Sequence, residues 1–215
     1  RQHATQQPCA AARGTAAIAG ATLEFAAALR HYHLRAEAEA TLDPIPHSVA
    51  GTLRAAVGRA LVDLESDHDY AKARRRLEAT LKASPQHVPA HNLLARVDLE
   101  NEEPAAAIAR LTSHSLQLAP NNPEALALLG AAHAVADDAG LKAAERRALA
   151  LNPRFAAFYT TVSEHLSRVH RYAEAAGHDR RALTLNPQHW KAYVNLGIGL
   201  SRLGDDDKAQ EVLNQ

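Results

Sequence analysis

The sequence predicts an all-α protein built as an α-solenoid, a stack of helical hairpins rather than one globular core. Two observations lead to it. Arg146-Arg147-Ala148-Leu149-Ala150-Leu151-Asn152-Pro153 returns as Arg180-Arg181-Ala182-Leu183-Thr184-Leu185-Asn186-Pro187, with seven of the eight positions identical and each pair 34 residues apart. A period of that size belongs to supersecondary units that stack on one another. The composition is 47% hydrophobic but only 4% aromatic. Much of the apolar count is Ala, the best helix former, whereas a sheet would draw on Val, Ile, Thr and aromatics.

Taken in order, residues 1–47 read as an N-terminal lead-in and one helix, or as a degenerate repeat. The helix is placed at 22–41, and Asp43-Pro44-Ile45-Pro46 stops it, because each Pro disfavours helix in the residue before it. From residue 48 to 215 the period can be followed in phase. It predicts units at 54–87, 88–122, 123–155, 156–189 and a truncated 190–215. About ten helices of roughly 10–15 residues in antiparallel pairs follow from these Pro-bounded apolar periods. The unit 88–122 carries an extra residue or two before Pro123. In 123–155 the loop Asp137-Asp138-Ala139-Gly140 is about one residue short, and Leu141 falls where a small residue is expected.

The register within a unit has a recognisable form. The last unit reads Tyr193-x2-Leu196-Gly197-x2-Leu200, then Ala209 and Leu213. The fourth reads Tyr159-x2-Val162-Ser163-x2-Leu166, then Tyr172, Ala175, Ala182 and Pro187. The first reads Val57-x2-Ala60-Leu61-x2-Leu64, then Tyr70, Ala73, Leu77 and Pro85. This pattern resembles the tetratricopeptide repeat. The resemblance implies a right-handed α-solenoid. On physical grounds, small residues such as Ala95, Gly130 and Gly197 on the first helices are expected to face Ala73, Ala107, Ala175 and Ala209 on the second, so that the pair approaches closely.

The resemblance also implies a function. In such arrays the first helices line a concave groove that holds a protein or peptide, so the chain is expected to be a binding scaffold. Carried over unit by unit, the groove candidates are Arg59, Asn92, Arg96, Thr160, Thr161, Glu164, Arg168, Lys191, Asn195 and Arg202, with Glu65 beside them. Ala127, Ala131 and Ala134 leave the middle of the wall small and apolar. Some members clamp a C-terminal carboxylate with a Lys/Asn/Arg set spread over consecutive units. Here only Lys191 and Asn195 fit, and both fall in one unit.

No catalytic residue, cofactor site or metal site is expected. The sequence holds no HExxH, GxSxG, Walker loop or CxxC. His31 and His33 diverge by about 200° on a helix, and His87 and His91 lack the further ligands a metal needs. Lys+Arg and Asp+Glu balance at 24 each, so no global field favours nucleic acid or an anionic membrane. Glu102-Glu103 and Asp205-Asp206-Asp207 fall at helix starts, where negative charge is favourable.

A narrower likeness covers residues 145–204. The run Ala148 to Phe155, then Tyr172-Ala173-Glu174-Ala175, then Trp190-Lys191-Ala192-Tyr193 resembles the repeat arm of bacterial proteins that carry a gluzincin-type, peptidase MA-like domain. It implies an alternative, a non-catalytic arm positioning substrate for a metallopeptidase domain elsewhere in a longer chain. The sequence begins at Arg1 and contains no Met, and it is expected to be a fragment, with further repeats or such a domain beyond it. Cys9 is the single cysteine, so no intramolecular disulfide is expected.

Overall fold

The computed structural model describes residues 49–65 and 67–214. The expectations for residues 1–47, Cys9 and the His31–His33 pair among them, lie outside the described residues. Within those residues every regular element is helical and no strand occurs. The helices are α1 (Val49–Glu65), α2 (Tyr70–Ala83), α3 (Val88–Glu100), α4, α5 (Pro123–Val135), α6 (Gly140–Leu151), α7 (Ala156–Arg168), α8 (Tyr172–Leu185), α9 (Trp190–Arg202) and α10 (Asp206–Leu213). Helix α4 runs through three segments, Pro104–Arg110, a π turn at Leu111–Ser115, and Leu116–Leu118. No helix among the described residues is long and apolar enough to cross a membrane.

The chain divides into two compact bodies, Arg1–Leu93 and Leu94–Gln215, and the division falls inside α3. In the first body α1 packs on α2 through Ala60, Val62, Ala73 and Leu77, all fully buried. Asp63 is buried at their junction and is held by Lys72 Nζ and Arg76 Nε, each at 2.6 Å. Asp69 caps α2 by accepting from the Lys72 N–H at 2.9 Å.

The second body is a succession of hairpins in which α5 packs on α6, α7 on both α5 and α8, α9 on α8, and α10 on α9. Phe158, Leu126, Val162 and Leu166 form its buried centre. Polar ties join neighbouring repeats. Arg147 donates to the Pro120 carbonyl at 3.0 Å. Its repeat partner Arg181 pairs with Glu145 at 2.8 Å and lies 4.9 Å from the Tyr159 ring centroid. The identical arginines therefore both reach back to the preceding repeat. Arg110 Nε meets buried Asp98 at 2.9 Å, which repeats the Asp63–Arg76 arrangement one period later.

Each hairpin turns through one residue in the left-handed region: His68 (φ 52°), Glu102 (59°), Asp137 (54°), His170 (61°) and Gly204 (81°). Four of these turns show the paired bonds of a Schellman cap. The N–H groups of Glu102, Asp137, His170 and Gly204 reach carbonyls three residues back, and those of Glu103, Asp138, Arg171 and Asp205 reach five back. The left-handed residues are 34, 35, 33 and 34 apart, so they measure the array's irregularities. The long interval contains the π turn of α4, where the Leu116 N–H bonds to Leu111 five residues back. A π turn absorbs one extra residue without breaking the helix. Thr112 and Ser113 hydroxyls donate to the Ile108 and Ala109 carbonyls beside it. The short interval falls after Asp137. There α6 has 12 residues against 14 in α8. Leu141 is half-buried and Ala144 takes the buried place.

One packing expectation is corrected. Gly130 and Gly197 on the first helices receive large side chains rather than small ones. A Cβ on Gly130 would stand 2.5 Å from Phe158 Cζ, and one on Gly197 would stand 2.7 Å from the Leu213 side chain. Ala73, Ala107, Ala175 and Ala209 are buried as expected, but the space opened by the glycines is filled by a ring and by a leucine.

Candidate ligand groove on the first helices

The groove candidates fall in both bodies. In the first body Arg59 is half-buried, and Asn92 is fully buried. Asn92 is therefore a core residue, a correction to its place among ligand contacts. It sits on the inward side of α3, and a 3.6-residue period cannot tell a groove edge from a core edge one residue away.

In the second body the candidates on α7 and α9 come together. Arg168, Lys191 and Arg202 are exposed, and Thr161, Glu164 and Asn195 are half-buried. Thr160 is 2% exposed and its hydroxyl meets the Ala157 carbonyl and His189 Nε2, each at 3.3 Å. It is packing rather than surface, a second correction. Lys191 Nζ pairs with Glu164 at 2.6 Å. Arg168 pairs with the buried carboxylate Glu100, and Arg96 Nε lies 3.9 Å from the same Glu100. Ala127, Ala131 and Ala134 on α5 are all buried. Between α3 and α7 the wall is thus drawn together by the Arg96–Glu100–Arg168 cluster.

A pocket of about 290 Å³ opens between α7 and α9, lined by Glu164, Ser167, Arg168, Tyr172, Asn195, Ile198 and Arg202. Four of these are groove candidates. Ile198, Ser167 and Tyr172 were not foreseen. Ile198 belongs to a ridge on α9 in which Trp190, Val194 and Ile198 are 57%, 38% and 52% exposed. Their four-residue spacing was readable, but nothing in the pattern separates an exposed apolar face from a core face.

Two buried ionisable groups lie beneath this surface. Asp179 on α8 accepts from Ser163 Oγ at 2.6 Å, and Asn195 Nδ2 donates to the same Ser163 Oγ at 3.3 Å. Burial pushes the Asp179 carboxyl up to about 7, with the nearby Glu164 charge adding to it against the Ser163 and Asn195 hydrogen bonds. His165 on α7 is 4% exposed. Burial lowers it to about 3, assisted by the charges of Arg96, Arg168 and Lys191, so its ring is neutral at pH 7.

Among the described residues no group of three or more His, Cys, Asp or Glu could hold a metal ion. His91 Nε2 lies 2.8 Å from the Pro85 carbonyl, and His87 Nδ1 accepts from the Ala90 N–H at 3.3 Å. Both rings serve the turn into α3.

The tetratricopeptide repeat family matches residues 64–132. Among solved structures, the chain is similar to PilF of Pseudomonas aeruginosa, with 16% identity, 93% of this chain and 90% of that chain covered, and a TM-score of 0.57. A thermophilic tetratricopeptide repeat protein of Thermus thermophilus is 19% identical over 77% of this chain and 88% of that one, with a TM-score of 0.56. A tetratricopeptide repeat protein of Parabacteroides merdae is 13% identical, covers 92% and 78%, and gives 0.53. At these identities the likeness is one of fold. Comparison with curated proteins finds no match. Nothing in these comparisons bears on the peptidase-arm resemblance.

Proposed function

We propose that the chain acts as a scaffold that binds a protein or peptide against its first helices, a reading supported by the match of residues 64–132 to the tetratricopeptide repeat family. The observation that carries this reading is the surface shared by α7 and α9. It combines a pocket of about 290 Å³ with an exposed apolar ridge, Trp190, Val194 and Ile198, and with exposed Arg168, Lys191 and Arg202. Ligand sites are concave and mostly apolar, with a few polar groups that fix orientation, and aromatic and Arg side chains dominate interface energetics. Tetratricopeptide repeats generally serve protein interaction. The reading makes the chain a binding partner rather than a catalyst.

The test is selection of peptides from a random library on the immobilised full chain, followed by affinity measurement on variants. Arg168→Ala and Ile198→Ala are expected to weaken selected peptides by tenfold or more. Arg146→Ala, on the outer helix α6, is expected to leave affinity unchanged. Loss of binding on Arg146→Ala with none on the α7 and α9 variants would overturn the groove as the site.

A further inference from the structure

We propose that Asp179, Ser163 and Asn195 form a proton-operated latch on the α9–α10 hairpin: the hairpin stays docked on α8 while the Asp179 carboxyl carries its proton and undocks when the proton leaves. The three residues come from α8, α7 and α9. Asp179 is 1% exposed. Ser163 Oγ donates to it at 2.6 Å, and Asn195 Nδ2 donates to the same Ser163 Oγ at 3.3 Å. The place is one that leucine fills in other repeats. Leu77, Leu111, Glu145, Asp179 and Leu213 follow one another at intervals of 34 residues, and Leu77 and Leu111 are fully buried. The residue facing this place changes as well. Ser163 stands one period before Gly197, and a Cβ on Gly197 would lie 2.7 Å from the Leu213 side chain. The apolar contact of Gly197 with Leu213 is thus a polar contact of Ser163 with Asp179 one hairpin earlier.

The second ground is the missing cation. Buried Asp63 is answered by Arg76 at 2.6 Å and buried Asp98 by Arg110 at 2.9 Å. Glu145, one period before Asp179, is answered by Arg181 at 2.8 Å. Asp179 has no ion-pair partner among the described residues, and 34 positions beyond Arg181 the sequence has the uncharged Gln215. A buried carboxylate without a cation is costly when ionised and takes up a proton instead. The surroundings act in the same direction. Glu164 of α7 adds negative charge and is itself engaged with Lys191 of α9 at 2.6 Å. Arg180, the next residue of α8, opposes it only from the exposed side. His178 of α8 stacks on the Tyr159 ring, His165 of α7 is kept neutral by burial beside Arg96, Arg168 and Lys191, Tyr193 of α9 donates to the Pro187 carbonyl, and Arg202 of α9 lines the pocket. None of them supplies a countercharge to Asp179.

The third ground is where the latch lies between buried cores. The larger apolar cluster of the second body takes only Ala192 from α9. Helices α9 and α10 bury a separate small set, Leu196, Leu200 and Ala209, against Ala176 of α8. The latch residues adjoin both. Ser163 follows Val162 of the larger cluster, Asn195 precedes Leu196 of the smaller, and Asp179 falls between Ala176 of the smaller and Ala182 of the larger. Water can therefore reach Asp179 by parting the smaller set alone, and segments with few buried contacts are the ones that open locally. Asn195 also lines the pocket between α7 and α9, so undocking displaces the α9 wall of that pocket.

The test is amide hydrogen exchange of the full chain without ligand, corrected for intrinsic rates, at about pH 5.5 and about pH 8. Undocking hydrates Asp179 and returns its carboxyl to the ordinary range, so opening grows as pH rises through that range to the docked value. Comparison with Asp179→Asn cancels the contribution of His165, which is present in both chains. Between the two pH values the opening measured at Leu196–Leu200 is expected to grow roughly tenfold or more beyond its growth in Asp179→Asn, while the amides of α5 change alike in both. Asp179→Leu combined with Ser163→Gly restores the leucine and glycine pairing of the last hairpin. It serves as a second reference should Asp179→Asn not fold, and its α9 amides are expected to lack the added opening at high pH. Equal pH dependence at Leu196–Leu200 in the unsubstituted chain and in the reference would overturn the latch. An equal increase in α5 and α9 would overturn it too, because the whole body rather than the hairpin would then be opening.

Discussion

At Asp179 and His165 the array holds two buried ionisable groups whose effects oppose. Asp179 has a folded pKa near 7 against 3.8 unfolded. The folded state keeps its proton where the unfolded state has lost it, so this contribution is full below pH ~4 and is lost as pH rises to 7. His165 is lowered to about 3 from 6.5. Its contribution is full above pH 6.5 and is lost as pH falls towards 3. Between pH ~4 and 6.5 the two slopes cancel. Burial raises the Asp179 carboxyl even though Ser163 Oγ donates to it at 2.6 Å. Substitution should unmask each slope. Asp179→Asn should make stability rise with pH from 4 to 6.5, by up to about 1.4 kcal/mol per unit. His165→Gln should make it fall with pH from 4 to 7. Denaturant midpoints across this range check both, and a flat Asp179→Asn profile would contradict the assignment.

Among elements, the turns are the most uniform feature and the least visible beforehand. Four of the five left-handed positions carry His, Glu, Asp and His, residues that announce no cap. Only Gly204 follows the usual preference for glycine there. The position is imposed by packing of the hairpin rather than by local propensity, at a cost of roughly 1–2 kcal/mol for a residue with a Cβ. Glu102→Gly and His170→Gly should therefore raise stability by about 1 kcal/mol each, and Gly204→Ala should lower it by a similar amount. Thermal melting of the three variants checks this. A loss on Glu102→Gly would show that its side chain does more at the turn than its backbone does. The π turn of α4 was foreshadowed by the extra residue before Pro123, but not its location. Insertion in a loop and insertion in a helix leave the same interval between Pro residues.

For the molecule as a whole, the repeated Arg-Arg-Ala-Leu and Asn-Pro segments made the helical hairpins and their boundaries legible, because period and Pro placement are properties of the chain. The site was only partly legible. Arg168, Lys191 and Arg202 are exposed, since charged side chains keep their hydration at the surface. Asn92 and Thr160 are buried, and the Thr160 hydroxyl meets the Ala157 carbonyl there. The apolar ridge from Trp190 to Ile198 escaped notice because exposure depends on what packs alongside. Stability should also vary along the second body. Helix α10 has eight residues and buries only Ala209, while Leu213 is 51% exposed. Amide exchange in 206–213 is expected to be much faster than in α7 and α8, which hold Phe158, Val162, Leu166 and Ala175 in the core. Equal protection in the two regions would contradict this gradient.

The measurement that tests the central claim most directly is chemical-shift mapping of the full chain with a library-selected peptide. The account predicts that the largest perturbations fall on α7 and α9, at Glu164, Arg168, Ile198 and Arg202, and that Trp190 shifts with them. Perturbations confined to the outer helices α6 and α8, with α7 and α9 unmoved, would contradict it.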